Sequence, residues 1–140
     1  EPLARALSVG LLPIVAGDVA FDRRRGSAIV STERVFARLA EALRPTHLLL
    51  AGVDAGVFAD YPANTRIFET LREADLRPST LAGSAATDVT GGMADKVRHA
   101  MAMARALPGL EVRIFSGVEP GAVQAALLGR PIGTLVVPDG

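Results

Sequence analysis

The stretch Asp88-Val89-Thr90-Gly91-Gly92-Met93-Ala94-Asp95-Lys96 contains the only lysine of the chain, against fourteen arginines. Arginine is the default cation here, so a lone lysine marks a place where a planar guanidinium would not serve. A compact ammonium suits a transferring phosphoryl oxygen, whereas a guanidinium brings bulk and a fixed fork. The residues before it agree. Thr90 is a good N-cap, Gly91 and Gly92 let the backbone approach a ligand, and an amphipathic run continues to about Leu107. A helix opening on Gly-Gly turns unpaired N–H groups and the positive end of its dipole toward an anion. Lys96 lies roughly 9 Å along the axis from Thr90, at about 1.5 Å per residue, and helical side chains lean back toward the N-terminus. Its stem therefore reaches toward an anion held at that end. The plainer alternative is a surface lysine on a capped helix; the uniqueness of the residue and the paired glycines favour phosphate binding.

Two other stretches have the composition of ligand loops. Gly17-Asp18-Val19 follows the apolar run Leu11–Ala16, and Gly52-Val53-Asp54-Ala55-Gly56 follows His47–Ala51. Each reads as a turn at the C-terminal end of a buried strand, where open α/β sheets place their ligands. Glu33 stands in the first turn of a predicted helix capped by Ser31. It either complements the helix dipole or, beside a phosphate site, orients cationic side chains. His47 and His99 show no metal-ligand spacing, and no metal-binding residue is assigned. Neither Gly-x-x-x-x-Gly-Lys-Ser/Thr nor Gly-x-Gly-x-x-Gly occurs.

The elements that must position these residues alternate. Residues 2–8 read as the tail of a helix, 11–16 as a buried parallel strand, and 21–27 as an exposed loop or hairpin with an arginine-rich tip. Residues 28–30 form a short strand, and the helix from Ser31 carries a stripe of Val35, Phe36, Leu39 and Leu43 and stops at Pro45. The strand 47–51, a weakly helical stretch 67–74, and a loop or short strand 77–86 lead to the central helix. Met93, Val97, Met101, Ala104 and Leu107 recur on that helix as a core stripe. Strands at 112–115 and 133–137 enclose a short helix at 120–128. Repeated strand–helix–strand order predicts an α/β fold with a mostly parallel open sheet flanked by helices.

With 140 residues, 49% of them hydrophobic, the chain is long enough for a real core. Its formal net charge is zero, which argues against nucleic acid or an anionic membrane as principal partner. The absence of cysteine excludes disulfides and thiolate zinc sites. No apolar run approaches the roughly 18 residues of a membrane span and no signal peptide is visible, so a cytoplasmic protein is expected. The chain starts at Glu1 within helix-like sequence, the expectation for a fragment.

The order of these pieces resembles the C-terminal half of the amino acid kinase family, and within it the isopentenyl phosphate kinase branch. The resemblance runs through Leu12-Pro13-Ile14-Val15-Ala16-Gly17-Asp18-Val19, Ile29-Val30-Ser31, Gly56-Val57-Phe58, Asp88–Met93 with Lys96, Ile114-Phe115-Ser116-Gly117 and Gly133-Thr134. It implies the C-terminal, ATP-binding lobe of an αβα kinase over residues 1–140, without the N-terminal acceptor lobe. It also implies ATP with Mg2+ as phosphoryl donor and isopentenyl phosphate as the acceptor, and it allows a homodimer. Lys96 matches the lysine that contacts the transferring phosphoryl group, and Gly92, next to Gly91, a glycine lining the ATP phosphates. Thr32 falls where the branch has a substrate-lining glycine, Gly17 belongs to the matching Gly-Asp-Val, and Glu33 falls on the acid that orients the lysines. The nucleotide loop departs from the family's Thr-Asp-Val-Asp-Gly. Aligned on Gly56, its two acids fall on Val53 and Ala55, with Asp54 between them, so either backbone groups hold the nucleotide or Asp54 substitutes.

Three readings follow. The first is an ATP-dependent isopentenyl phosphate kinase in intact form, with this chain alone inactive. The second is another family member acting on a different small acceptor. The third is a nucleotide-binding regulatory domain without catalysis, against which the retained Lys96 speaks.

Overall fold

The computed structural model describes residues 2–60, 62–76 and 92–139. They divide into two compact units, Glu1–Arg44 and Pro45–Gly140. The expected loop or strand at 77–86, and Thr90 and Gly91 of the central motif, lie outside the described residues.

The first unit contains helix α1 (Pro2–Ser8), strands β1 (Asp18–Asp22) and β2 (Gly26–Val30), and helix α2 (Thr32–Leu43). β1 and β2 form an antiparallel hairpin in which Asp18 faces Val30 and Asp22 faces Gly26. Its arginine tip closes on Asp22, whose carboxylate accepts from the Arg24 and Arg25 amides, both at 2.8 Å. Such a side-chain-capped turn needs no core, which is why the tip stays in solvent. Ser31 caps α2, its hydroxyl accepting from the Arg34 amide at 3.4 Å. The helix ends at Arg44, a left-handed residue whose N–H reaches the Ala40 carbonyl, just before Pro45. Of the stripe predicted on α2, Val35, Phe36 and Leu39 are half-buried and Leu43 is exposed; Ala40 is the residue it buries.

The expected strand at 11–16 does not form. Residues 11–17 carry no regular structure, and Leu12 and Ile14 are 85% and 91% exposed. An apolar run becomes a buried strand only where a neighbour pairs its backbone and another layer covers its side chains. The hairpin strands of this unit pair with each other. Likewise Asp18 and Val19 are not a turn after a strand; they open β1.

The second unit contains β3 (His47–Gly52), β4 (Thr70–Arg72), a single 3-10 turn (Glu73–Asp75), helix α3 (Gly92–Ala106), β5 (Glu111–Ser116), helix α4 (Ala122–Leu127) and β6 (Thr134–Val137). The sheet order is β3-β5-β6-β4. β3 runs parallel to β5 and β4 parallel to β6, whereas β5 and β6 are antiparallel. This is the α/β architecture with a mostly parallel open sheet that the alternation of elements predicts. The weak helix expected at 67–74 is instead β4 and its 3-10 turn, because Leu71, fully buried, pairs with Val136. Tertiary pairing outweighs local propensity in a segment this short.

α3 packs against β5 and β6. Its stripe of Met93, Val97, Met101 and Ala104, continued by Leu107, is buried as the spacing predicts, and Ala100 and Met103 join it. Opposite it stand Val112, Ile114 and Val136, each no more than 2% exposed. Burying such side chains contributes about 1.5–3 kcal/mol apiece. That packing fixes the rotation of α3, and with it the direction in which Lys96 leaves the helix.

Candidate functional site

Because β3 and β5 are parallel, with Gly52 opposite Ser116, their C-terminal ends share one edge of the sheet. β6 is antiparallel to β5 and begins at the same edge, Thr134 standing opposite Ile114. Ligands of open α/β sheets settle outside such an edge.

Lys96 leaves the first turns of α3, beside the buried Val97, and its ammonium stands over the end of β3. A Cβ built on Gly52 would lie 2.8 Å from Lys96 Nζ. The side chain is half-buried, and among the described residues it has no ion-pair partner. The neighbouring Asp95 is engaged on the outer side of the helix by Arg98. An ammonium at this edge that meets no carboxylate among the described residues is suited to an anion. Gly92, the first residue of α3, has φ +57°, a conformation L side chains rarely adopt. Glycine is thus required where the helix begins.

The loop after β3 carries Val53, Asp54 and Gly56. Val53 is 79% exposed and Asp54 half-buried. Gly56 is buried for a reason of packing: a Cβ there would lie 2.6 Å from the Thr134 hydroxyl. That hydroxyl, fully buried, accepts from the Val57 amide at 2.9 Å and donates to the Phe68 carbonyl at 2.7 Å. It ties the loop to β6 and to the strand-like pair Phe58 and Ile67. On the other side, the Ser116 hydroxyl donates to the Val53 carbonyl at 3.1 Å and accepts from the Val118 amide at 3.3 Å. The Gly117 amide donates to the Gly52 carbonyl at 2.9 Å. The backbone of residues 52–57 is therefore pinned from both sides.

The other expected site residues belong to the first unit. Gly17 and Thr32, far apart in sequence, are brought together: a Cβ on Gly17 would lie 2.6 Å from the Thr32 amide nitrogen and 2.5 Å from the Val30 carbonyl. Thr32 is exposed, and Glu33 is half-buried in the first turn of α2. Gly17 permits the chain to cross the start of α2 at backbone contact. Sequence reasoning placed Gly52 in a ligand loop without giving it a role of its own, and did not single out Ser116 or Thr134 as site builders. The available signals were a glycine closing a predicted strand and hydroxyl residues at the ends of apolar ones. No group of three or more His, Asp or Glu side chains suited to a metal ion occurs among the described residues. None of their helices is long and apolar enough to cross a membrane.

The family model for the amino acid kinase family matches residues 1–116. The chain belongs to the amino acid kinase family. Over 131 residues it is 31% identical to the isopentenyl phosphate kinase of Methanothermobacter thermautotrophicus, covering 90% of this chain and 48% of that protein. It is 30% identical over 148 residues to the glutamate 5-kinase of Trichlorobacter lovleyi, covering 97% of this chain and 36% of that one. Among solved structures, an isopentenyl phosphate kinase superposes with a TM-score of 0.74 at 25% identity, over 98% of this chain and 50% of its own. The chain thus spans half or less of the length of these relatives, and their α/β fold is its own.

Proposed function

We propose that this chain forms the nucleotide half of an ATP-dependent kinase whose acceptor is isopentenyl phosphate and whose product is isopentenyl diphosphate. The observation that carries the reading is the Lys96 ammonium, unpaired among the described residues, at the ligand edge of the sheet. In the reaction an oxygen of the acceptor phosphate forms a bond to the γ-phosphorus of ATP. The bond from that phosphorus to the β–γ bridging oxygen breaks, and ADP leaves. Such a transfer needs positioning and charge neutralisation rather than covalent help. Lys96 supplies positive charge to the γ-phosphoryl oxygens, while Gly92 and the pinned backbone of residues 52–57 leave room and amide donors for the phosphates. Asp54, with neither Val53 nor Ala55 acidic, is the carboxylate available to the nucleotide in this loop. Mg2+ would come with ATP and would supply further charge neutralisation; no group of His, Asp or Glu side chains suited to hold it unaided occurs among the described residues. In the first unit Gly17 and Thr32 are assigned to the acceptor, and Glu33 to orienting lysine. The transfer reaction is assigned to a form that also carries the remainder of the relatives' length; this chain by itself is expected to bind ATP weakly and transfer nothing.

The match to a glutamate 5-kinase keeps a carboxylate acceptor as the second reading, since the residues of the second unit serve ATP whichever acceptor is used. Turnover of Lys96 variants with each acceptor tests both. Removing one electrostatic contact to developing charge costs roughly 10²–10³ in kcat, about 3–4 kcal/mol. Lys96→Ala should show that loss with a smaller change in KM for ATP, and Lys96→Arg should restore ATP binding better than turnover. Full activity in Lys96→Arg would refute the assignment, and activity with glutamate in place of isopentenyl phosphate would select the second acceptor.

A further inference from the structure

We propose that Gly52 is a positioning residue: the space left by its missing side chain is where the Lys96 ammonium stands. The proposal rests on the phosphoryl-contact reading of Lys96 for its catalytic consequence, but not for its geometry.

The backbone does not require glycine at position 52. Gly10, Gly26, Gly92, Gly109, Gly121, Gly129 and Gly133 have positive φ; Gly52 does not. It closes a regular parallel strand, where any residue fits and glycine has no side chain to pack. Among the described residues, a Cβ at this position would meet one heavy atom within 4 Å beyond its chain neighbours, and that atom is Lys96 Nζ, at 2.8 Å. Gly17, Gly56 and Gly117, the other glycines of ordinary φ in close quarters, face backbone or fixed side chains instead. Gly52 cannot yield to a larger residue by sliding. Its carbonyl accepts from the Gly117 amide, and the Val53 carbonyl accepts from the Ser116 hydroxyl. A Cβ on Gly117 would itself lie 3.1 Å from Ala51 Cβ, so that neighbouring strand end is close as well. The family's Thr-Asp-Val-Asp-Gly, aligned on Gly56, puts a threonine at 52, so the close seat of the ammonium belongs to this chain's Gly52; here a methyl group would displace the ammonium, the flexible partner, and leave the fold standing.

The lone lysine makes the test direct, because a chain labelled with 13C and 15N in lysine alone carries one side-chain ammonium signal. In the unsubstituted chain, the Lys96 ε-protons should show a nuclear Overhauser contact to the Gly52 α-protons. Gly52→Ala should keep the melting temperature and shift the Lys96 side-chain resonances. In the catalytically complete form the same substitution should lower kcat at least tenfold, with less than a threefold change in KM for ATP. Absence of the Overhauser contact, or unmoved Lys96 resonances in Gly52→Ala, overturns the proposal whatever Lys96 does. If Lys96→Ala abolishes turnover while Gly52→Ala leaves it intact, Gly52 has no positioning role. If Lys96→Ala itself retains full turnover, the phosphoryl-contact reading fails and the catalytic part of the proposal falls with it, while the lysine signal still decides the geometry.

Discussion

Ile14 and Ile114 are the same residue in two apolar runs of similar composition, and the chain treats them in opposite ways. Ile14 is 91% exposed in a stretch without regular structure; Ile114 is 1% exposed in the second strand of a four-stranded sheet. The contrast extends to the units around them. The first unit leaves Leu12, Val19, Phe21 and Ile29 exposed and buries Ala40. The second closes α3 over β5 and β6 and brings the C-terminal ends of β3 and β5 to one edge of the sheet. Hydrophobic residues stabilise only where a second layer removes them from water, so the direction of the Lys96 side chain is set by a closed core in the second unit. The residues Gly17 and Thr32 of the first unit are instead held by backbone contact and a capped helix.

The largest effect should come from truncating the two isoleucines. Ile114→Ala should cost about 2–5 kcal/mol in urea melts of the chain, because it opens a cavity in a closed core. Ile14→Ala should stay within about 0.5 kcal/mol, as surface changes usually do. An equal loss at both positions would break the comparison and show that Ile14 is covered in solution. Next in size is Thr134→Val, which keeps the shape but strands the Val57 amide and the Phe68 carbonyl. A buried group left without its partner costs about 1–3 kcal/mol. Hydrogen exchange should quicken at Val57 before it does at the α3 amides, and unchanged stability would mean that the loop is not pinned through this hydroxyl.

Glu33→Gln separates the roles left open for the acid of the first unit. If it orients lysine during transfer, kcat falls while the melt is unchanged. If it complements the dipole of α2, the fold loses roughly 0.3–1 kcal/mol and turnover is kept. The smallest effect concerns Asp60, whose carboxylate accepts from the Thr65 hydroxyl and from the Thr65 and Arg66 amides. The Thr65 hydroxyl, above all, holds this carboxyl below its ordinary value of 3.8. Since the folded pKa is the lower one, its contribution is present above the unfolded value and disappears as pH falls through the folded one. The Thr65 and Arg66 amide resonances should therefore hold steady down to about pH 4 and move below it; a midpoint above 3.8 for Asp60 would contradict the assignment.

The sequence by itself determined whatever depends on local pattern and on chemistry carried by few residues. The 3.6-residue recurrence from Met93 to Leu107 specified α3 and its buried face, Ser31 and Pro45 bracketed α2, and a lone lysine after two glycines singled out the cation proposed for the site. Tertiary structure decided what depends on partners. Residues 11–16 and 67–74 differ from their sequence expectation because strand and helix segments this short are chosen by what pairs with them: Leu71 pairs with Val136, whereas Ile14 has no such partner among the described residues. The place of the Lys96 ammonium over Gly52, and the hold of Thr134 and Ser116 on the loop between, come from residues far apart in the chain. Their nearness is set by sheet order and helix rotation, which arise only when the whole core closes.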